Sequence, residues 1–182
     1  KDIIKNTKVY ENLEPAVQRV DCLIATTSRF RNKNIKHIKL DDLNKIDFRK
    51  KIAFLFGSEA SGLSNNEISY ANYTMQIPSN PEFKSLNLSH SVIIIAQIIS
   101  TLIKLNNSKY KKSNKVKSAS KKDVQSMLNL CVKNLEKRNF FKPKEKKPIM
   151  LENLRSIFYK MELSQKETRI LSSVFANLAK KG

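Results

Sequence analysis

Two glycines and one carboxylate mark the stretch where a bound molecule could come closest to the main chain. Gly57, Glu59 and Gly62 follow directly on an apolar run at residues 52–56, and the whole chain has only three glycines. Glycine reaches positive φ without steric cost and leaves room for a ligand beside the backbone. The spacing therefore predicts a ligand-binding turn that carries Glu59. Taken alone, Glu59 could also be a loop carboxylate paired with a lysine.

A second stretch, residues 75–91, runs from a strand end through a proline-bounded loop into the start of a helix. Its helix start is rich in small polar groups, among them Asn87 and Ser89. Either residue alone could be no more than a helix N-cap. Because both stretches combine a strand end with an unusual loop, together they predict one ligand site.

Three short apolar runs, at residues 20–26, 52–56 and 74–77, alternate with stretches of helical character. Strands that are apolar throughout are typical of parallel sheets covered on both faces. The order of strands and helices therefore predicts a parallel α/β sheet.

Small hydroxyl residues end the first of these runs, at Thr26, Thr27 and Ser28. Ligand crevices in open α/β sheets lie at the carboxyl ends of strands, so these residues are candidates for the site. An ordinary exit from a strand into a loop would also place hydroxyl groups there. His37 has no metal-ligating partner at suitable spacing and is predicted to be a surface residue.

The apolar helix predicted at residues 88–105 indicates either a core helix or a dimer helix. Its longest apolar run, residues 92–105, is interrupted by polar residues and is predicted to be too short to cross a bilayer. Cys22 and Cys131 lie in apolar contexts, which favours buried thiols in a reducing cytoplasm.

The chain carries a formal net charge of +19, and most of the excess lies after residue 106. This excess of positive charge favours a polyanionic partner, either nucleic acid or an anionic membrane surface. A lysine- and asparagine-rich genome is the alternative explanation.

The chain divides by composition into three parts. Residues 1–106 hold the predicted sheet, residues 107–122 form a lysine- and serine-rich flexible linker, and residues 123–182 form a small helical domain. Apolar residues at three- and four-residue spacing predict about three amphipathic helices there, the last capped by Ser164 with Glu167.

Residues 56–67 (FGSEASGLSNNE) and 77–92 (IPSNPEFKSLNLSHSV) resemble motifs two and three of the SpoU branch of the SPOUT methyltransferases. Residues 26–29 (TTSR) resemble the turn that precedes them. Within that branch the chain is most similar to the TrmJ-type enzymes, because it has both the long Asn-Pro-Glu-Phe loop and a basic helical tail.

This resemblance implies a trefoil-knotted parallel sheet, an exception to the rule that chains do not thread their own loops. It also implies a first strand and helix upstream of this chain, carrying an asparagine and the arginine usually assigned to activating the ribose hydroxyl. The chain is therefore expected to be a fragment of a longer protein.

The same resemblance assigns roles to residues of the two motifs. The knot loops of the family bind S-adenosylmethionine, without a metal, and Glu59 would organise the site while Asn87 and Ser89 face the acceptor ribose. The residues implied to bind the cofactor are Thr26, Thr27, Ser28, Gly57, Gly62, Ile77, Lys84, Ser85 and Leu86.

By resemblance, the expected function is S-adenosylmethionine-dependent 2'-O-methylation of tRNA, at cytidine or uridine 32 of the anticodon loop. Residues 123–182 are expected to be an RNA-binding domain, with a solubilising surface as the alternative. A cytoplasmic homodimer with no membrane partner is expected. Two alternatives remain, a ribosomal RNA 2'-O-methyltransferase of the same branch and a non-catalytic RNA-binding protein that kept the fold.

Overall fold

The computed structural model describes residues 2–28, 35–80, 82, 86–106 and 117–178. The strands in these ranges are β1 (Cys22–Thr26), β2 (Lys36–Ile38), β3 (Ile52–Leu55) and β4 (Tyr73–Met75). The α-helices are α1 (Asp2–Lys5), α2 (Leu13–Val17), α3 (Asn65–Ile68), α4 (Leu88–Asn106), α5 (Lys121–Lys137), α6 (Lys147–Lys160) and α7 (Gln165–Leu178). Two 3-10 helices span Leu40–Lys45 and Lys144–Lys146.

The four strands form one parallel sheet in the order β2-β4-β1-β3. The predicted parallel α/β sheet is confirmed, and its three predicted strands correspond to β1, β3 and β4. β1 has a hydrogen-bonded neighbour on each side, and this central position explains why its sequence is apolar from Cys22 to Ala25. The trefoil knot stays a prediction.

The edge strand β2 was not predicted, and His37 lies within it. His37 is half-buried, and its Nδ1 lies 3.3 Å from Thr74 Oγ1 of β4. Burial and the neighbouring Lys39 lower the pKa of His37 below its ordinary value. The prediction of a surface residue is therefore wrong. Three residues are too few for an alternating pattern to show in the sequence.

The two faces of the sheet pack against different parts of the chain, because successive side chains of a strand point to opposite faces. Cys22 and Ile24 belong to an apolar cluster that includes Ile95 of α4. Leu23 and Ala25 belong to a second cluster, which includes Met127 of α5. Helices α5, α6 and α7, here called the helical tail, thus cover one face of the sheet.

The three amphipathic helices predicted for the tail are confirmed as α5, α6 and α7, and Ser164 forms the predicted capping box with Glu167. The division into domains at 106 and 122 stays a prediction, and residues 107–116 lie outside the described residues. For residues 117–122 the flexible-linker prediction is wrong. Ala119 is buried, and Ser120 caps α5.

Arg155 of α6 joins the helical tail to α3. Its guanidinium donates to Asn66 Oδ1 at 2.7 Å and to Ser69 Oγ at 2.9 Å, and it lies 4.1 Å from the centre of the Tyr70 ring. Since α3 follows directly on the glycine-containing turn, the tail supports one wall of the predicted site.

Lys121, at the start of α5, is buried in the same seam. Its Nζ donates to the Tyr70 carbonyl at 2.6 Å and lies 3.8 Å from the centre of the Tyr159 ring. Burial lowers the pKa of Lys121 to about 7, although Cys22 and Glu162 act in the opposite direction.

This burial predicts a pH dependence of stability. The unfolded chain keeps the Lys121 proton up to a pKa near 10.5, whereas the folded chain releases it near pH 7. The free energy of unfolding should therefore rise with pH above about 7. Urea titrations from pH 6.5 to 9 should show a smaller rise for Lys121→Met than for the original chain. Parallel curves for the two proteins would contradict a buried neutral lysine.

Helix α4 is longer than the apolar run seen in the sequence. It has 19 residues, and its segment 88–105 has a mean hydropathy of 1.7 with only 6% of its residues buried. The length argument against a bilayer-spanning helix is therefore wrong, because the polar interruptions do not shorten the helix. Ile95 is buried against the sheet, while Val92 and Ile93 are exposed.

Candidate functional site

A cavity of about 550 Å³ lies at the carboxyl ends of β1, β3 and β4. Three chain segments line it. They are Thr26, Thr27 and Ser28 at the end of β1, residues 56–63 after β3, and Ile77, Leu86, Leu88 and Ser91 of the second loop and α4. This is the edge at which parallel sheets place their ligand crevices.

The turn after β3 depends on its two glycines for different reasons. A Cβ built on Gly57 would lie 2.2 Å from the Gly62 carbonyl carbon and 2.4 Å from the Leu63 nitrogen. Gly62 has φ of 69°, and nothing lies within 4 Å of the position its Cβ would take. Gly57 is thus required because the chain folds back on itself, and Gly62 because of its left-handed backbone.

Polar contacts inside the turn hold its shape. The Gly62 N–H donates to the Ser58 carbonyl at 2.9 Å, and the hydroxyl oxygens of Ser58 and Ser61 lie 2.8 Å apart. Leu63 is buried, and Ser64 begins α3 with a complete capping box to Glu67. The turn is therefore anchored at both ends, between β3 and a capped helix.

The hydroxyl residues after β1 are tied to the neighbouring strands. Thr26 Oγ1 donates to the Leu55 carbonyl at 3.0 Å, and the Thr27 N–H donates to the Met75 carbonyl at 2.9 Å. These bonds fix the floor of the cavity at the point where β1, β3 and β4 meet. Ser28 follows on the exposed side.

Glu59 reaches from the turn to the N-terminus of α4. The Leu88 N–H donates to Glu59 Oε1 at 3.3 Å, and a carboxylate is favourable at this end of a helix dipole. Asn87 Oδ1 accepts from the Ser89 N–H at 2.9 Å and from Ser89 Oγ at 2.5 Å. Glu59 therefore contacts the helix start that carries Asn87 and Ser89, beside the cavity.

The structure brings most of the predicted site residues together. Those that line the cavity are Thr26, Thr27, Ser28, Gly57, Glu59, Gly62, Ile77 and Leu86. Asn87 and Ser89 lie next to the lining, at the start of α4, and Lys84 and Ser85 lie outside the described residues. The roles assigned to all of these residues stay predictions.

Several residues that line the cavity were not predicted from the sequence. All of them lie inside one of the two motifs, and this position is the feature that could have identified them. They are Phe56, Ser58, Ala60, Ser61, Leu63, Leu88 and Ser91. The lining thus combines hydroxyl groups with apolar side chains. Glu59 is the only charged residue in the described lining, and the described residues hold no cluster of three metal-ligating side chains.

The sequence model of the SpoU rRNA Methylase family matches residues 2–97, more than half of the chain. The chain belongs to the SpoU rRNA Methylase family. This match includes all four strands, both loops and the first half of α4. It therefore confirms the resemblance to the SpoU branch that the two motifs indicated.

Some similar proteins align with this SpoU family chain beyond the sheet, over the helical tail as well. The tRNA (cytidine-2'-O-)-methyltransferase TrmJ of Sulfolobus acidocaldarius is 41% identical over 96 residues, which are 51% of this chain and 41% of that relative. A relative with the same name from Methanocaldococcus jannaschii is 27% identical over 180 residues, 96% of this chain and 76% of the relative. The match thus spans less than half of the first relative's length.

Among solved structures, the crystal structure of TrmJ from Z. mobilis ZM4 superposes with a TM-score of 0.83 at 24% identity. The superposition covers 97% of this chain and 75% of that chain. The shared fold therefore includes the helical tail as well as the sheet.

Proposed function

We propose that this protein transfers a methyl group from S-adenosylmethionine to a ribose 2'-oxygen of tRNA. The main support for the proposal is the cavity at the carboxyl edge of the sheet. Residues of both motifs line it, and both motifs lie within the segment that matches the family. The chain therefore places the signature residues of a methyltransferase family around one space of ligand size.

The residues around the cavity fit S-adenosylmethionine. A volume of about 550 Å³ lies within the range of small-molecule sites, roughly 300 to 1,000 Å³. Apolar Phe56, Ile77 and Leu86 suit an adenine ring, and the hydroxyls of Ser28 and Ser58 suit its polar substituents.

The cofactor-binding set that we propose keeps the residues named from the sequence. They are Thr26, Thr27, Ser28, Gly57, Gly62, Ile77, Lys84, Ser85 and Leu86.

When bound, the cofactor would supply an electrophilic methyl group. The residues of the chain would then position the acceptor, the ribose 2'-oxygen. Asn87 and Ser89 stand at the N-terminus of the 19-residue helix α4, where main-chain amides favour an anion such as the phosphate next to the ribose. Glu59 holds the turn against that helix end. Correct placement of reacting groups can supply several kcal/mol of the barrier, roughly 7 to 11 in well-oriented systems.

A tRNA substrate is favoured by the relatives named TrmJ, one of which aligns with 96% of this chain, including the tail. Position 32 of the anticodon loop, with cytidine or uridine as the target, is the specific site that we propose. Ribosomal RNA is the second candidate, and the description of the family as rRNA methylases favours it.

We further propose a cytoplasmic homodimer formed through α4, with no membrane partner. Val92 is 42% exposed and Ile93 is 64% exposed, so this helix presents an uncovered apolar stripe that a two-fold contact would bury. Ile95 and its neighbours Ile98, Ile99 and Leu102 pack against the sheet instead. Light scattering should give twice the chain mass, and a monomer at micromolar concentration would contradict the dimer.

The cofactor assignment can be tested by isothermal titration of the protein with S-adenosylmethionine. We expect saturable binding that S-adenosylhomocysteine competes for, because both share the adenosine part that the cavity suits. ATP serves as the control, since it carries adenosine with a charged triphosphate. Absence of saturable binding would leave the non-catalytic RNA-binding protein as the better assignment.

A further inference from the structure

A second large concavity lies at the opposite edge of the sheet from the candidate site. This groove has a volume of about 1010 Å³ and runs along the seam between the amino ends of β1 and β3 and the helical tail. Arg19 and Lys51 lie on its sheet side, and Lys117 and Lys122 lie on its tail side. One strand length, about 13 Å for five residues, separates the two edges.

Main-chain bonds join the two sides of the groove, so it is a built feature of the fold. The Lys121 N–H donates to the Val20 carbonyl at 2.9 Å, and the Lys122 N–H donates to the Gln18 carbonyl at 3.2 Å. The start of α5 is thereby fixed against the turn that precedes β1. Side chains from distant parts of the sequence are held around one concave surface.

The groove contains cations without ion-pair partners. Within the described part of the chain, no carboxylate forms an ion pair with Arg19, Lys51, Lys117 or Lys122. By contrast, Lys50 pairs with Glu162 at 3.0 Å. Unpaired cations on a concave surface concentrate positive potential there.

The three carboxylates in the groove each have a partner. Asp47 accepts from Arg49 at 2.8 and 2.9 Å, and Asp123 caps α5 through Ser120. Asp21 accepts from the Lys51 main-chain N–H at 3.0 Å. Main-chain N–H groups do not neutralise Asp21 or Asp123, but the described lining holds six basic side chains against three acidic ones. The groove therefore keeps an excess of positive charge that can bind an external anion.

We propose that this groove binds the sugar-phosphate backbone of the substrate RNA at a point remote from the methylated ribose. The inference rests on the proposed function for the identity of the RNA. No lysine or arginine lies in the described lining of the candidate site, whereas the described lining of the groove holds six. The described residues of the groove lining include no aromatic side chain on which a base could stack, which indicates backbone contact.

The test uses the full-length protein with Lys51→Gln, Lys117→Gln and Lys122→Gln combined. A matched control combines Lys5→Gln, Lys8→Gln and Lys39→Gln, which remove the same charge from exposed residues outside both the groove and the helical tail. The probe is an unmodified tRNA transcript, titrated at several salt concentrations. Each lost phosphate contact lowers the slope of log affinity against log salt by about 0.7 to 0.9, so the groove variant should lose roughly 2 to 3.

The control variant should keep the original slope, and both variants should keep the original affinity for S-adenosylmethionine. Equal effects of the two variants on the slope would overturn the groove as a specific surface. Loss of binding to anionic vesicles, with tRNA binding unchanged, would overturn RNA as the partner. If the original protein binds tRNA through the groove but fails to bind S-adenosylmethionine, the proposed function falls and the groove assignment stands.

Discussion

Replacing Gly57 by alanine should abolish binding of S-adenosylmethionine. The added Cβ would lie 2.2 Å from the Gly62 carbonyl carbon and 2.4 Å from the Leu63 nitrogen, far inside van der Waals contact. Both neighbours are main-chain atoms, so no side-chain rotation can relieve the clash. The turn that lines the candidate site must therefore open or shift, and we expect the loss in a calorimetric titration.

Gly62→Ala is the matched control for this prediction. Its φ of 69° costs an L-residue about 1 to 2 kcal/mol, but nothing lies within 4 Å of the new Cβ. Gly62→Ala should thus lower stability modestly and reduce cofactor affinity much less than Gly57→Ala does. If Gly57→Ala bound the cofactor as tightly as Gly62→Ala, the close approach of the turn would not shape the site.

Replacing Asn72 by alanine should lower the free energy of unfolding by about 3 kcal/mol. Asn72 is buried, its Oδ1 accepts from the Leu23 N–H at 2.8 Å, and its Nδ2 donates to the Tyr159 carbonyl at 2.7 Å. Alanine would leave the buried Leu23 N–H without its side-chain partner, at about 1 to 3 kcal/mol. It would also remove one bond to the Tyr159 carbonyl, worth about 1 kcal/mol, while that carbonyl still accepts from the Glu162 N–H at 3.4 Å. Urea denaturation of the two proteins measures the difference.

An exposed asparagine provides the comparison for Asn72. Asn44 lies in the first 3-10 helix, and Asn44→Ala should change stability by less than about 0.5 kcal/mol. A loss at Asn72 no larger than that at Asn44 would show that the bond between β1 and α6 contributes little. The helical tail would then be fixed to the sheet by apolar contact alone.

The sequence predicted those parts of the molecule that depend on local chemistry. The apolar run of β1, the two glycines of the turn and the capping box at Ser164 each follow from residue type and spacing. The family likeness then added the fold and the grouping of both loops around one site.

Other features depend on contacts between residues far apart in the chain. Lys121 belongs to a lysine-rich stretch that composition assigns to solvent, yet the ring of Tyr159 and the carbonyl of Tyr70 enclose its side chain. Likewise, the bond from Leu88 to Glu59 joins residues 29 positions apart. Only the packed structure shows that Lys121 is buried in the core, or that Glu59 accepts from the first N–H of α4.

The packing of the tail also determines how RNA binding can be studied. Removing α5, α6 and α7 would uncover Leu23, Ala25 and the rest of one apolar sheet face. Such a truncation is expected to lower stability and cofactor binding together with RNA binding. Substitution of single charges in the groove separates these effects.

The most direct test of the proposed function is a map of 2'-O-methyl groups in the RNA of cells that lack this gene. We expect one mark to disappear from the anticodon loop of tRNA, at cytidine or uridine 32, and to return when the gene is restored. Ribosomal RNA marks should stay unchanged in the same cells. Retention of every tRNA mark, or loss of a ribosomal RNA mark instead, would contradict tRNA 2'-O-methylation by this protein.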